Sequence, residues 1–130
     1  MTKQDHVAYW TEIAESNWSA AQGLFATRKF LECLFFAHLI IEKLSKACWV
    51  KDNAEDHPPR IHNILRLWSA TQLAPSADQS NTAADLNRFQ LDGRYPDYQR
   101  AVFAQATESY TSHLLQEAAQ LRSWVLSKLP

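Results

Sequence analysis

The side chains with the most chemistry in them crowd into one stretch. His38, Glu42 and Lys46 follow one another at intervals of four, with Lys43 beside them. At about 100° per residue that spacing stacks the first three on one face of a helix. Glu42 precedes Lys46 by four, the favourable order for a helical ion pair worth about 0.2–0.5 kcal/mol. Two readings follow: a solvated pair beside a hydrogen-bonded histidine, or the cationic wall of an anion site. No metal is expected, because one histidine and one carboxylate flanked by lysines make a poor cation cage. No cofactor is expected either. The sequence has no Gly-x-Ser-x-Gly elbow, no Gly-rich phosphate loop and no pair of Cys-x-x-Cys motifs.

A second group lies further along. His62 follows Pro58-Pro59-Arg60-Ile61 and begins the expected third helix. Free backbone N–H groups and the helix dipole favour an anion there, although Asn63 reads equally well as a cap. Arg94 stands in the turn Gly93-Arg94-Tyr95-Pro96-Asp97. Its planar fork suits phosphate, or ties the turn to a carboxylate such as Glu42. Tyr95 and Tyr98 offer rings that either stack on a base or pack the turn.

Helices must position all of these. Alanine and leucine number 33 against nine valines and isoleucines, and there are two glycines, so local preference is helical. Apolar periodicity predicts a first helix over about 5–26, with Val7, Trp10, Ile13, Ala14, Ala21, Leu24 and Phe25 inward. A second covers about 28–51. Pro58-Pro59 forbids helix in the loop 52–61. A third helix is expected over 62–73, a weaker one over 82–91, and a last long one over 99–127. That last helix has Phe103, Tyr110, Leu114, Leu121 and Val125 on its seam. The expectation is one all-α domain, 1–130: an antiparallel up-and-down bundle of about five helices.

On the second helix Cys33, Ala37, Ile40, Ile41, Leu44, Ala47 and Cys48 form the core stripe. The opposite, polar side also carries Phe35, Phe36 and Leu39. Either a neighbouring helix covers them or a second subunit does, which makes them the expected homodimer interface. The two cysteines are too far apart along one helix to bridge, and free thiols fit a reducing cytosol. The N-terminal residues show no signal peptide, and no apolar run is long enough to span a membrane. A cytoplasmic protein is expected. With 21% charged residues and a net charge of −1, the chain is neither a strongly basic nucleic-acid coat nor a disordered polyelectrolyte.

The string Phe35-Phe36-Ala37-His38-Leu39-Ile40-Ile41-Glu42-Lys43-Leu44-Ser45-Lys46-Ala47 resembles the central helix of HEPN domains, the higher-eukaryote and prokaryote nucleotide-binding family. That helix often reads aromatic-aromatic-x-His-Gln-Ala-x-Glu-Lys-x-x-Lys-Ala. Pro58-Pro59-Arg60-Ile61-His62-Asn63-Ile64 is similar to the family's Pro-Pro-x-Thr-His-Asn-Leu approach to the third helix. Arg94-Tyr95-Pro96-Asp97 is similar to its Arg-Tyr-Pro element before the last helix. Leu39 and Ile40 depart from the usual Gln and Ala.

The resemblance implies a helical bundle that binds a nucleotide, with Lys43, Lys46, Arg94, His38 and His62 as contacts. It also implies a minimal nucleotidyltransferase partner, in a toxin–antitoxin-like prokaryotic system, and raises modification of Tyr95. The family's ribonucleases carry an Arg followed four to six residues later by His. No arginine here has a histidine at that distance. The chain therefore resembles the non-ribonuclease branch, and no catalytic residue is expected. The alternatives are a divergent metal-independent ribonuclease using His38 or His62 with Arg94, and a non-catalytic scaffold.

Overall fold

In the computed structural model, which describes residues 1–130, Thr2 opens α1 (Lys3–Ala26) with a capping box. Its hydroxyl accepts from the Asp5 N–H, and the Asp5 carboxylate accepts from the Thr2 N–H. A three-residue turn leads into α2 (Phe30–Asp52). Arg28 adopts a left-handed φ of 63° there. The N–H groups of Arg28 and Lys29 close back on the Phe25 and Leu24 carbonyls, which ends α1 cleanly. The two helices form an antiparallel hairpin, fastened at its open end by Lys3. That ammonium donates to the Val50 and Asn53 carbonyls, both at 2.9 Å, and pairs with Asp56 at 2.8 Å.

All seven residues of the expected α2 stripe are buried. Each buried leucine or isoleucine contributes about 1.5–3 kcal/mol by leaving water. Cys33 and Cys48 are free thiols inside this core, and burial pushes them up to about 11 and about 12. They are inert packing groups.

The shorter elements depart from the expected boundaries. α3 (Ile64–Trp68) is a single stretch of five residues rather than twelve. α4 (Ala77–Asn87) starts five residues earlier than expected, because Ser76 and Gln79 form a second capping box. The expected last helix is two: α5 (Pro96–Gln105) and α6 (Glu108–Leu126). Thr107 caps α6 by accepting from the Tyr110 N–H. The break turns Phe103 out of the seam to 63% exposure, while Leu114, Leu121 and Val125 stay buried. The bundle thus has six helices.

α6 packs on α2 and runs in the same sense. Arg28, just before α2, pairs with Glu108 at the start of α6. Near the other end, Trp124 meets the Trp68 ring edge to face at 5.5 Å between centres. The Trp68 indole N–H in turn donates to Ser45 Oγ of α2 at 2.8 Å. The chain returns between them through α3, α4 and α5. No helix is long and apolar enough to cross a membrane.

Candidate functional site

The side of α2 that reads as polar is a second buried layer. His38 and Glu42 have no exposed surface and Lys46 keeps 6%. Period and residue type suggest a solvated face, but other elements cover it. Trp10 of α1 roofs the lysines, its ring centre 5.7 Å from Lys43 Nζ and 5.4 Å from Lys46 Nζ. The loop before α3 supplies His62. Both satisfy charges that solvent would otherwise have to reach.

Glu42 is the hub. Its Oε2 accepts from Lys43 at 2.8 Å and from Lys46 at 3.2 Å. Its Oε1 accepts from His62 Nδ1 at 3.0 Å. Two ammoniums share one carboxylate oxygen, so the cluster keeps a surplus positive charge, with Lys43 on its solvent side. Burial pushes the Glu42 carboxyl up. The Lys43 hydrogen bond and the charges of Lys43 and Lys46 outweigh it, and the net pKa is lowered. Burial also lowers Lys46, against the opposing pull of Glu42.

His38 is locked from behind. Its Nε2 lies 2.8 Å from the His62 carbonyl, which can only accept, so Nε2 carries the proton. Nδ1 is left facing Glu42 Oε1 at 3.9 Å without a hydrogen bond. Burial holds the ring below its ordinary pKa, with Glu42 opposing. His38 is a neutral strut that fixes the backbone of His62.

His62 is therefore held twice, by its carbonyl and by its ring. The carboxylate takes Nδ1–H, which leaves Nε2 bare of a proton in the neutral ring. Its side chain is half exposed. It lines a polar hollow of about 100 Å³ together with Asn63, Asn87, Gln90 and Arg94.

Arg94 reaches this hollow and not Glu42. Its guanidinium lies 4.7 Å above the centre of the Tyr98 ring. Nε donates to the Gln90 carbonyl at 3.4 Å, and no carboxylate pairs with the fork. Tyr98 is itself anchored, its hydroxyl donating to the Arg88 carbonyl at 2.5 Å. Tyr95 stands 83% exposed at the start of α5.

The helix end near His62 is already occupied. α3 begins at Ile64, and Asn63 Oδ1 accepts from the Arg66 N–H while Asn87 Oδ1 accepts from the Ile64 N–H. The expected helix start at His62 is corrected: the helix begins two residues later, and its Ile64 and Arg66 N–H groups are taken by the two asparagines. Phe36 packs against the main core, whereas Phe35 and Leu39 are half-buried and belong to neither core cluster.

The structure brings His38, Lys43, Lys46 and His62 around Glu42 and sets Arg94 across the hollow from that group. In sequence Trp10 reads only as core. Nothing in its spacing marks it as a lid over lysines more than 30 residues away. Chemically, the arrangement pairs an imidazole oriented by a buried carboxylate with a guanidinium that has no carboxylate partner. Such a pair can hold a phosphate and exchange a proton beside it.

The HEPN domain profile matches residues 7–129. The crystal structure of TT1696 from Thermus thermophilus is similar at 23% identity and a TM-score of 0.78, covering 95% of this chain and 98% of that one. ST0689, an archaeal HEPN homologue, is similar at 21% identity and a TM-score of 0.73 over the same shares. Both likenesses are of fold. No curated protein gives a significant match to the sequence.

Proposed function

The chain belongs to the HEPN domain family, and we propose that it binds the phosphate of a nucleotide in the hollow between His62 and Arg94. In this reading it acts as a homodimer and as the companion of a minimal nucleotidyltransferase, in the cytoplasm of a prokaryote. The observation that carries the reading is Arg94. A guanidinium with no carboxylate partner, pre-oriented on a tyrosine face beside a half-exposed histidine, is suited to a planar, bidentate anion contact. The surplus charge of the Lys43–Lys46–Glu42 cluster stands behind His62 and adds to the attraction.

Titration with AMP and ATP tests it. Wild-type protein is expected to bind, and Arg94→Ala to weaken binding about tenfold or more, as loss of a charge-assisted contact does. Equal affinity in the two proteins overturns the placement.

A second reading, metal-independent phosphodiester cleavage, is favoured by one observation. Glu42 orients His62 as a carboxylate orients a catalytic imidazole, with Nε2 free to take a hydroxyl proton. The absent Arg–His spacing weighs against it. Single-stranded RNA incubated with wild-type protein under chelation is expected to stay intact. Cleavage that disappears in His62→Ala would favour the enzyme instead.

A further inference from the structure

Beyond Trp10, away from the lysines, lies a hollow that the Glu42 cluster does not use. Met1, His6, Tyr9, Trp10, Asp56 and His57 line about 180 Å³. His6, Tyr9 and Trp10 stand at i, i+3 and i+4 of α1 and share a face. Lys3 holds the opposing loop in place through the Val50 and Asn53 carbonyls and the Asp56 carboxylate. The rings meet edge to face in two pairs, His6 with His57 at 5.2 Å and Tyr9 with Trp10 at 5.5 Å between centres. In each pair one ring's edge covers one face of the other, and the remaining ring faces are not used within the pair.

Apart from Asp56, which pairs with Lys3, the polar side chains around the hollow make no side-chain hydrogen bonds. The side-chain hydrogen bonds on the loop side come from Lys3, which takes only Oδ1 of Asp56. The ring nitrogens of His6 and His57 and the Tyr9 hydroxyl take no part in them. Donors and acceptors therefore stand at the rim of an aromatic slot, as recognition of a ring with polar edges requires.

Charge at the hollow does not call for a cation: its one carboxylate, Asp56, is already paired with Lys3. Lys43 and Lys46 lie close to the Trp10 ring but do not line the hollow. Two ammoniums already draw on the π-electrons of Trp10, which makes it a poor host for a further cation. It becomes a better partner for a neutral, electron-rich ring. The volume admits one ring system and falls below that of pockets for larger ligands.

We propose that this hollow is a stacking slot for a nucleobase, held between Tyr9, Trp10 and the His6–His57 pair. The choice of ligand class rests on the nucleotide reading above, but the slot uses none of the residues of the Arg94 hollow.

Calorimetric titration with adenosine, which carries no phosphate, tests it. Tyr9 is half exposed and His57 exposed, so Tyr9→Ala and His57→Ala are expected to keep the wild-type circular dichroism. Wild-type protein is expected to bind adenosine, with a loss of roughly tenfold or more in either variant, as removal of a stacking ring produces. Arg94→Ala is expected to bind adenosine as wild type does. Adenosine that fails to bind, or that binds Tyr9→Ala unchanged, overturns the slot. So does tetramethylammonium binding that depends on Tyr9 and excludes adenosine, since that would make the hollow a cation box. A parallel titration with inorganic phosphate keeps the two readings apart. Phosphate affinity indifferent to Arg94→Ala sinks the phosphate site, while Tyr9-dependent adenosine binding still supports the slot.

Discussion

Glu42→Ala is expected to lower the free energy of unfolding by about 3–5 kcal/mol, read from urea denaturation at neutral pH. The carboxylate is fully buried and takes three hydrogen bonds, from Lys43, Lys46 and His62. Removing it leaves Lys46, with 6% of its surface in water, as an ammonium without a counter-charge. Glu42→Gln keeps the volume and one acceptor and is expected to lose less. The acid limb of stability should change as well. His38 is depressed from its ordinary 6.5, so the unfolded chain binds its proton first. Its share of stability is complete above about pH 6.5 and is lost as pH falls below it. Glu42 is depressed from 4.5, so its share is complete above that value and is lost as pH falls through the folded value. Wild-type protein is expected to weaken in both windows, and Glu42→Ala to weaken less in the lower one, where the depressed carboxyls of Asp5 and Asp56 still contribute. A loss under about 1 kcal/mol, or an unchanged lower limb, would mean that the cluster is solvated and not a buried hub.

The inward stripe of α2 is legible in the sequence because it is a property of one helix. Apolar side chains at three-and-four spacing must face a core, and Cys33 through Cys48 do. The other side is not legible by the same rule. Periodicity sees His38, Glu42 and Lys46 as polar and assigns them to water. It cannot see that Trp10 and His62, from two other segments, arrive to cover them. The split between α5 and α6 escapes the pattern because no Gly or Pro marks it. Thr107 followed by Glu108 is a helix-start signal, overridden by the continuous apolar pattern on either side. Ser76 and Gln79 are likewise a readable capping box after Pro75, and place the start of α4 at Ala77. The resemblance picks out His62 and Arg94 without showing what lies between them. Only the fold reveals that Arg94 shares a hollow with His62 and leaves Glu42 to the lysines.

Phe35→Glu combined with Leu39→Glu is expected to convert a dimer into a folded, helical monomer. The two positions are four apart on α2 and so lie on one face. Both are half-buried and outside the core clusters, while Phe36 between them packs inward with its ring 5.8 Å from that of Phe35. The division separates three apolar residues that look alike in sequence: Phe36 packs on the core cluster, and Phe35 and Leu39 do not. Covering a phenylalanine or leucine that the monomer leaves partly wet favours association, and a twofold pairing would repeat the gain on both subunits. A stable interface needs about 1,000 Å² or more, so the surface around Phe35 and Leu39 must join the contact. Light scattering at tens of micromolar is expected to give twice the chain mass for wild type and the single mass for the double variant, with unchanged circular dichroism. Phe36→Glu is the contrast: it places a charge against the core and is expected to cost stability rather than only association. Wild-type protein that is monomeric at that concentration, or a double variant that unfolds where Phe36→Glu does not, would return Phe35 and Leu39 to the interior of a single chain.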